Sequence, residues 1–245
     1  MSRSHRYEYL LSILPTLEPI GSIPPLSKQS FLEQVTESSG PISTVRTLLL
    51  SDDLMQYQSL LAEEIEKDRI DMAILSLDVA EDESVLPDYL LPKEKTEEQQ
   101  DEQSVRMSVD GIWKRYFHYA ASVAKRTQSS FLKAWIGFEV GLRNALATAR
   151  AQTLELEPEA YLVAPELADK KTDYSNIVSD WSGAPNPQNA FRVLDEARWN
   201  WCEEHGGWYS FYACEIEVYA AKLMLLHRWR RILTEKQQSN EASLT

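Results

Sequence analysis

The sequence predicts an all-α protein, and three observations lead there. Apolar residues recur at three- and four-residue spacing through most of the chain, the period of one helix face. Prolines and glycines gather between those stretches and punctuate them. Strand-like alternation is scarce; "AYLVAP" is its best example and is too short to build a sheet. With 245 residues, 43% of them hydrophobic, the chain can bury a sizeable core.

The first element is expected near Tyr7 to Leu14, followed by the loop "EPIGSIPPLS". Ser27 and Ser30 offer N-cap chemistry to a helix carrying Phe31, Leu32 and Val35, which Gly40-Pro41 ends. A third segment is expected from about Ser43 and another from about Ser51. There Ser-Asp-Asp supplies a cap and negative charge at the positive end of a helix, ahead of the stripe Leu54, Tyr57, Leu61 and Ile65. Pro87 and Pro92 forbid one continuous helix through "ILSLDVAEDESVLPDYLLP". The run "KEKTEEQQDEQS" lacks apolar periodicity and reads as solvated.

Four strong helical patterns follow. Trp113, Tyr116, Phe117 and Ala120 mark the first; Phe131, Trp135, Phe138, Leu142, Ala145 and Ala149 mark the second. Asn186-Pro187 opens the third, with Ala190, Leu194, Ala197 and Trp201 on one face, and Gly206-Gly207 closes it with residues that tolerate left-handed geometry. The last runs from about Trp208 past Leu233. Its apolar face is too broad for a single seam, so it should be packed on more than one side. Residues 1–92 thus form an N-terminal helical part, 93–104 a charged linker or helix extension, 105–237 a C-terminal helical part and 238–245 a frayed tail.

Composition narrows the function. The net charge of −13 is the wrong sign for neutralising phosphates, which argues against nucleic acid or a bare anionic membrane as partner. Cys202 and Cys214 match no zinc or thiol-redox spacing and are expected as reduced thiols in a cytoplasmic protein. The start "MSRSHRYEYLLSILP" reads as a structural element rather than a signal peptide, and no run reaches the ~20 apolar residues of a span.

Chemistry-bearing motifs are missing. Neither phosphate-cradling glycine pattern occurs, nor a nucleophile elbow, nor a zinc-protease helix. A di-iron bundle needs Glu three residues before His on each of two helices, whereas the four histidines follow Ser2, Arg115, Cys202 and Met224 at that spacing. No catalytic, cofactor-binding or metal-binding residue is therefore assigned, and no cofactor is expected. In "WCEEHGGW", Cys202, Glu203, Glu204 and His205 point in different directions along one helix, and His205 suits the helix end. The aromatic residues Trp199, Trp201 and Trp208 read as core or interface anchors. The cluster Arg228, Arg230, Arg231 and Lys236 suits a helix C-terminus. Trp199, Trp208, Arg228 and Arg230 are the candidate partner contacts.

The stretch "FEVGLRNALATARA" combines packing and polarity. Gly137, Gly141, Ala145 and Ala149 recur every four residues and form a strip that lets another helix backbone come close. Glu139 and Arg143 have the spacing of an ion pair, and Arg150 follows a turn or two along the same side. Asn144, a poor helix former, is expected to bond a neighbouring backbone or side chain.

"YEYLLSILPTLEP", "FEVGLRNALATARAQ" and "EVYAAKLMLLHRW" together resemble bacterial proteins of V-type ATPase gene clusters, shortened relatives of the C subunit of the archaeal-type enzyme and the d subunit of the eukaryotic one. Glu139, Asn144 and Arg150 match the helix motif repeated in the three-helix units of those subunits. The resemblance implies an elongated bundle of three-helix units acting as a non-catalytic adaptor. It would receive central-stalk subunits (D/F-like), rest on the membrane proteolipid ring and lie at the inner membrane through that complex. Composition by itself leaves open a helical scaffold of another soluble complex, or an enzyme with a carboxylate/His site near Glu204 and His205.

Overall fold

The computed structural model describes residues 6–65, 67–80, 82–92, 109–207 and 209–242, and among these the fold is an all-helical bundle. The charged stretch 93–104 and Trp208 lie outside the described residues. Helix α1 spans Glu8–Ile13, α2 Lys28–Glu37, α3 Ile42–Leu61 and α4 Val109–Thr127. They are followed by α5 at Ser130–Thr153, α6 at Ser175–Ser182, α7 at Pro187–His205 and α8 at Ala213–Ala242.

Caps read from sequence define several starts. Ser27 accepts from the Ser30 amide at 3.0 Å, and Asn186 from the Asn189 amide at 2.8 Å ahead of Pro187. Ser129, a cap the sequence reading did not name, does the same for Leu132 at 2.9 Å, opening α5. Short 3₁₀ turns at Leu77–Ala80 and Glu83–Val85 occupy the proline-limited stretch after α3.

The two segments expected at Ser43 and Ser51 are one helix, α3. Ser51 is no cap; its hydroxyl donates back to the Leu48 carbonyl at 2.7 Å, and Asp52 and Asp53 lie mid-helix with no exposed surface. Two other boundaries differ. Gly206 closes α7 in extended geometry and leaves glycine's left-handed freedom unused; what favours glycine is space, since a Cβ there would come 3.0 Å from the Cys202 carbonyl oxygen. The left-handed residues nearby are Tyr209 and Phe211, so α8 begins later than Trp208; it then continues through 238–242, where a frayed tail was expected.

Helix α3 is central: it packs on α8, α4 and α2, while α5 packs on α4, α8 and α6, and α7 bridges α6 and α8. One buried cluster runs from Leu10 through Leu48 and Tyr57 to Trp135, Trp201 and Leu226, joining the N-terminal and C-terminal parts. The N-terminal loop is pinned to α8, where the Tyr219 hydroxyl donates to the Pro15 carbonyl at 2.9 Å and His227 meets the Leu26 carbonyl at 2.9 Å.

The starts of α3, α5 and α8 converge around Glu217, which is 2% exposed and accepts from the Ser129 hydroxyl at 2.8 Å. Burial pushes its carboxyl pKa up while Ser129 and Thr44 pull it down. Three positive helix ends around one carboxylate favour its charged form, and the carboxylate in turn offsets the repulsion among those ends.

Candidate functional site

Helix α5 uses its two sides differently. The small-residue strip does admit close contact, but from a loop rather than a helix. Asp169 N–H donates to the Gly137 carbonyl at 2.9 Å, and a Cβ on Gly141 would come 2.3 Å from the Tyr174 hydroxyl. Further along, Ala145 and Ala149 are only half-buried. Asn144, 8% exposed, clamps the same loop: its amide donates to the Val163 carbonyl at 3.0 Å and its oxygen accepts from the Val163 N–H at 2.9 Å. This explains why "AYLVAP" is not a strand. Its first residues belong to a 3₁₀ turn, Pro158–Tyr161, and the Val163 N–H and C=O are bonded by a side chain instead of by a neighbouring strand.

Glu139 and Arg143 do not pair with each other. Glu139 accepts two bonds from the Arg198 guanidinium, at 2.7 and 3.2 Å, and Arg143 meets Asp110 at 3.1 Å. The buried alternative wins for Glu139 because Arg198 is a fork held at 12% exposure beside a second carboxylate, Asp195. Arg143 instead lies over the Trp113 ring at 4.8 Å, and Arg150 over the Trp181 ring at 5.0 Å.

Arg198 is one end of a buried ionic chain. Asp195 touches both Arg198, at 3.2 Å, and Arg228, at 3.3 Å. Arg228 reaches Asp52 at 3.5 Å, Arg231 pairs with Asp52 at 2.6 Å, and Lys28 closes the chain at 2.8 Å. Asp53 lies 3.9 Å from Lys28 and accepts backbone N–H bonds from Ala73, Ile74 and Leu75, fixing the loop after α3. The chain links α2, α3, α8, α7 and α5; its four cations meet four buried or nearly buried carboxylates and a fifth, half-exposed Asp71, 3.5 Å from Lys28.

Burial and pairing oppose one another along this chain. Burial would raise the Asp52 carboxyl, but Arg231, Lys28 and Arg228 hold it well below the usual carboxylate range. For Asp53 burial prevails over Lys28 and the loop N–H groups, and the carboxyl is pushed up to about 6. Asp195 is also raised by burial against Arg228 and Arg198. Its Oδ2 atom accepts no hydrogen bond among the described residues, which leaves that oxygen desolvated without compensation.

Sequence reasoning missed this network. The signal was an Asp pair inside "LLLSDDLMQYQ", an apolar run whose helical continuation places both carboxylates between buried leucines. The basic cluster near the C-terminus was noticed but misplaced. Helix α8 continues beyond it, so Arg228 and Arg231 answer Asp52 rather than a helix end.

That burial corrects the candidate partner contacts. Arg228 is 4% exposed and Trp199 9%, with Lys222 lying 4.8 Å over the Trp199 ring; both side chains are internal. Arg230 remains exposed. In "WCEEHGGW" the four groups do diverge. His205 bonds the Trp201 carbonyl at 2.9 Å and stacks on its ring, Glu203 pairs with Lys222, and burial pushes the Cys202 thiol far up. No group of three His, Cys, Asp or Glu among the described residues is arranged to hold a metal ion.

The open concave feature lies on the arginine side of α5. A groove of about 1440 Å³ runs between the end of α3, α5 and the α6–α7 pair, and a second hollow of about 470 Å³ continues it towards α4. Met55, Gln58, Arg150, Leu154, Phe191 and Leu194 line both. No family model, curated protein or solved structure matches this chain.

Proposed function

We propose that this protein is a non-catalytic central-stalk adaptor of a V-type ATPase. It would couple the rotor stalk to the membrane proteolipid ring and so to proton or sodium transport. The observation that carries the reading is how α5 spends the residues on which the resemblance rests. Glu139 and Asn144 brace the fold internally, while Arg150 lines an open groove of about 1440 Å³. That division suits a body that transmits force through interfaces rather than one that turns over a substrate. No described helix is long and apolar enough to cross a membrane, so contact with the ring would be made through protein loops.

Co-purification with central-stalk subunits and the detergent-extracted ring tests the proposal. Recovery of both supports it, and failure to bind either sinks it; recovery of an unrelated assembly would make the chain a scaffold of that complex. If the acidic surface docks onto basic ring loops, association weakens as salt rises, and salt-independent binding removes that electrostatic account.

A further inference from the structure

The groove has a charge pattern unlike the rest of the chain. Along α5 and its C-cap, Arg143, Ala147, Arg150 and Leu154 follow one another at helical spacing; all four line the smaller hollow, and Arg150 and Leu154 line the larger groove as well. The two arginines are seven residues apart, about 10.5 Å along the axis. Each guanidinium is laid on a tryptophan, one from α4 and one from α6, which fixes its position without neutralising it.

Their compensation is incomplete. Arg143 has one carboxylate, Asp110, on the groove rim with its side chain 60% exposed. Arg150 is exposed and has no carboxylate within ion-pair distance among the described residues. Burial lowers the pKa of Arg143 more than Asp110 restores it, and Arg150 adds to the lowering. Glu139, which also lines this wall, is committed to Arg198, and Glu64 at the far end is bonded by the Ser59 hydroxyl at 3.2 Å. The described lining sets Arg143, Arg150 and Arg198 against Asp110, Glu139 and Glu64, so the face is balanced overall, but Glu64 lines only the larger groove and positive charge is left uncompensated locally at Arg150.

Beside and beyond the arginines the lining is apolar and open. Leu154 is 67% exposed, Leu156 and Tyr161 are each 44% exposed, and Met55 and Phe191 are half-buried opposite them. Helical walls of this kind accept another helix by interdigitating side-chain ridges.

We propose that the groove receives an amphipathic helix of a partner protein whose apolar face is bordered by carboxylates seven residues apart, meeting Arg143 and Arg150. This deepens the adaptor reading and rests on it only in taking the groove for a docking face; the chemistry of the occupant does not depend on which complex supplies it.

Two synthetic helical peptides test it by fluorescence anisotropy with the full chain. Both carry leucines on one face; one has Glu at two flanking positions seven residues apart, the other Lys at the same positions. The Glu peptide is expected to bind at least about tenfold more tightly, since opposite charges meet in one complex and like charges face each other in the other. Arg150→Glu, a change at an exposed side chain, should narrow or reverse that preference with an unchanged melting temperature. Equal binding of the two peptides, no binding of either, or a preference unaltered by Arg150→Glu overturns the proposal. If the chain fails to co-purify with stalk and ring while the peptide preference persists, the ATPase reading falls and the groove assignment stands.

Discussion

Asn144 shows how a single side chain can hold a loop. Asn144→Ala would leave the Val163 N–H and C=O buried without partners, and the expected loss is about 2–4 kcal/mol in urea denaturation. Asn144→Asp keeps the acceptor but sets a second oxygen against the Val163 carbonyl. Its loss should be larger at neutral pH than in acid, where the carboxyl can donate. A variant of normal stability that specifically fails to bind stalk subunits would make Asn144 a contact rather than a brace. Asp53 predicts a pH dependence of opposite sign to that of Asp52. With its carboxyl raised to about 6, folded Asp53 holds a proton that the unfolded chain has released, so this group's contribution falls as pH rises from about 4 to 6. Asp52 is depressed, so its contribution is present above the ordinary carboxylate range and is lost as pH falls below it. Urea midpoints measured from pH 3 to 7 should therefore rise and then decline, and Asp53→Asn should flatten the upper limb.

At the scale of elements, most helices were legible because their signals are local. Ser27, Asn186 and the Trp113 to Ala120 face each announce a helix within one or two turns. Helix α3 was split at Ser51 because Ser-Asp-Asp satisfies the local rule for a start, and only distant Lys28, Arg228 and Arg231 make mid-helix aspartates tolerable. The same limit explains the rest of the site. Spacing within α5 suggested a Glu139 to Arg143 pair, but Arg198 and Asp110 sit 59 and 33 residues away along the chain from their respective partners and left no local trace. The small-residue strip was recognisable, whereas its occupant was not. Gly141→Ala tests that occupant: with Tyr174 in place the added methyl overlaps the phenol, and a cost of about 1–3 kcal/mol is expected. In a Tyr174→Ala background the same change should be nearly neutral, so a double-mutant cycle without coupling would show that the loop yields freely.

Across the whole molecule, the two helical parts share one core through α3, α4 and α8, and should unfold together. The seven tryptophans all lie at position 113 or later, so their fluorescence reports the C-terminal part while far-UV circular dichroism reports every helix. Coincident urea transitions by the two probes are expected; an earlier dichroism change would mean that the N-terminal part melts on its own. The buried ionic chain has a further consequence for how this sequence can change over generations. Removing one member strands its partners in the interior, a loss of about 3–5 kcal/mol, while removing an opposite pair can cost little. Asp195 and Arg228, or Asp52 and Arg231, should therefore drift as couples: in descendants of this gene, the exchange of one for an uncharged residue is expected to travel with the exchange of the other.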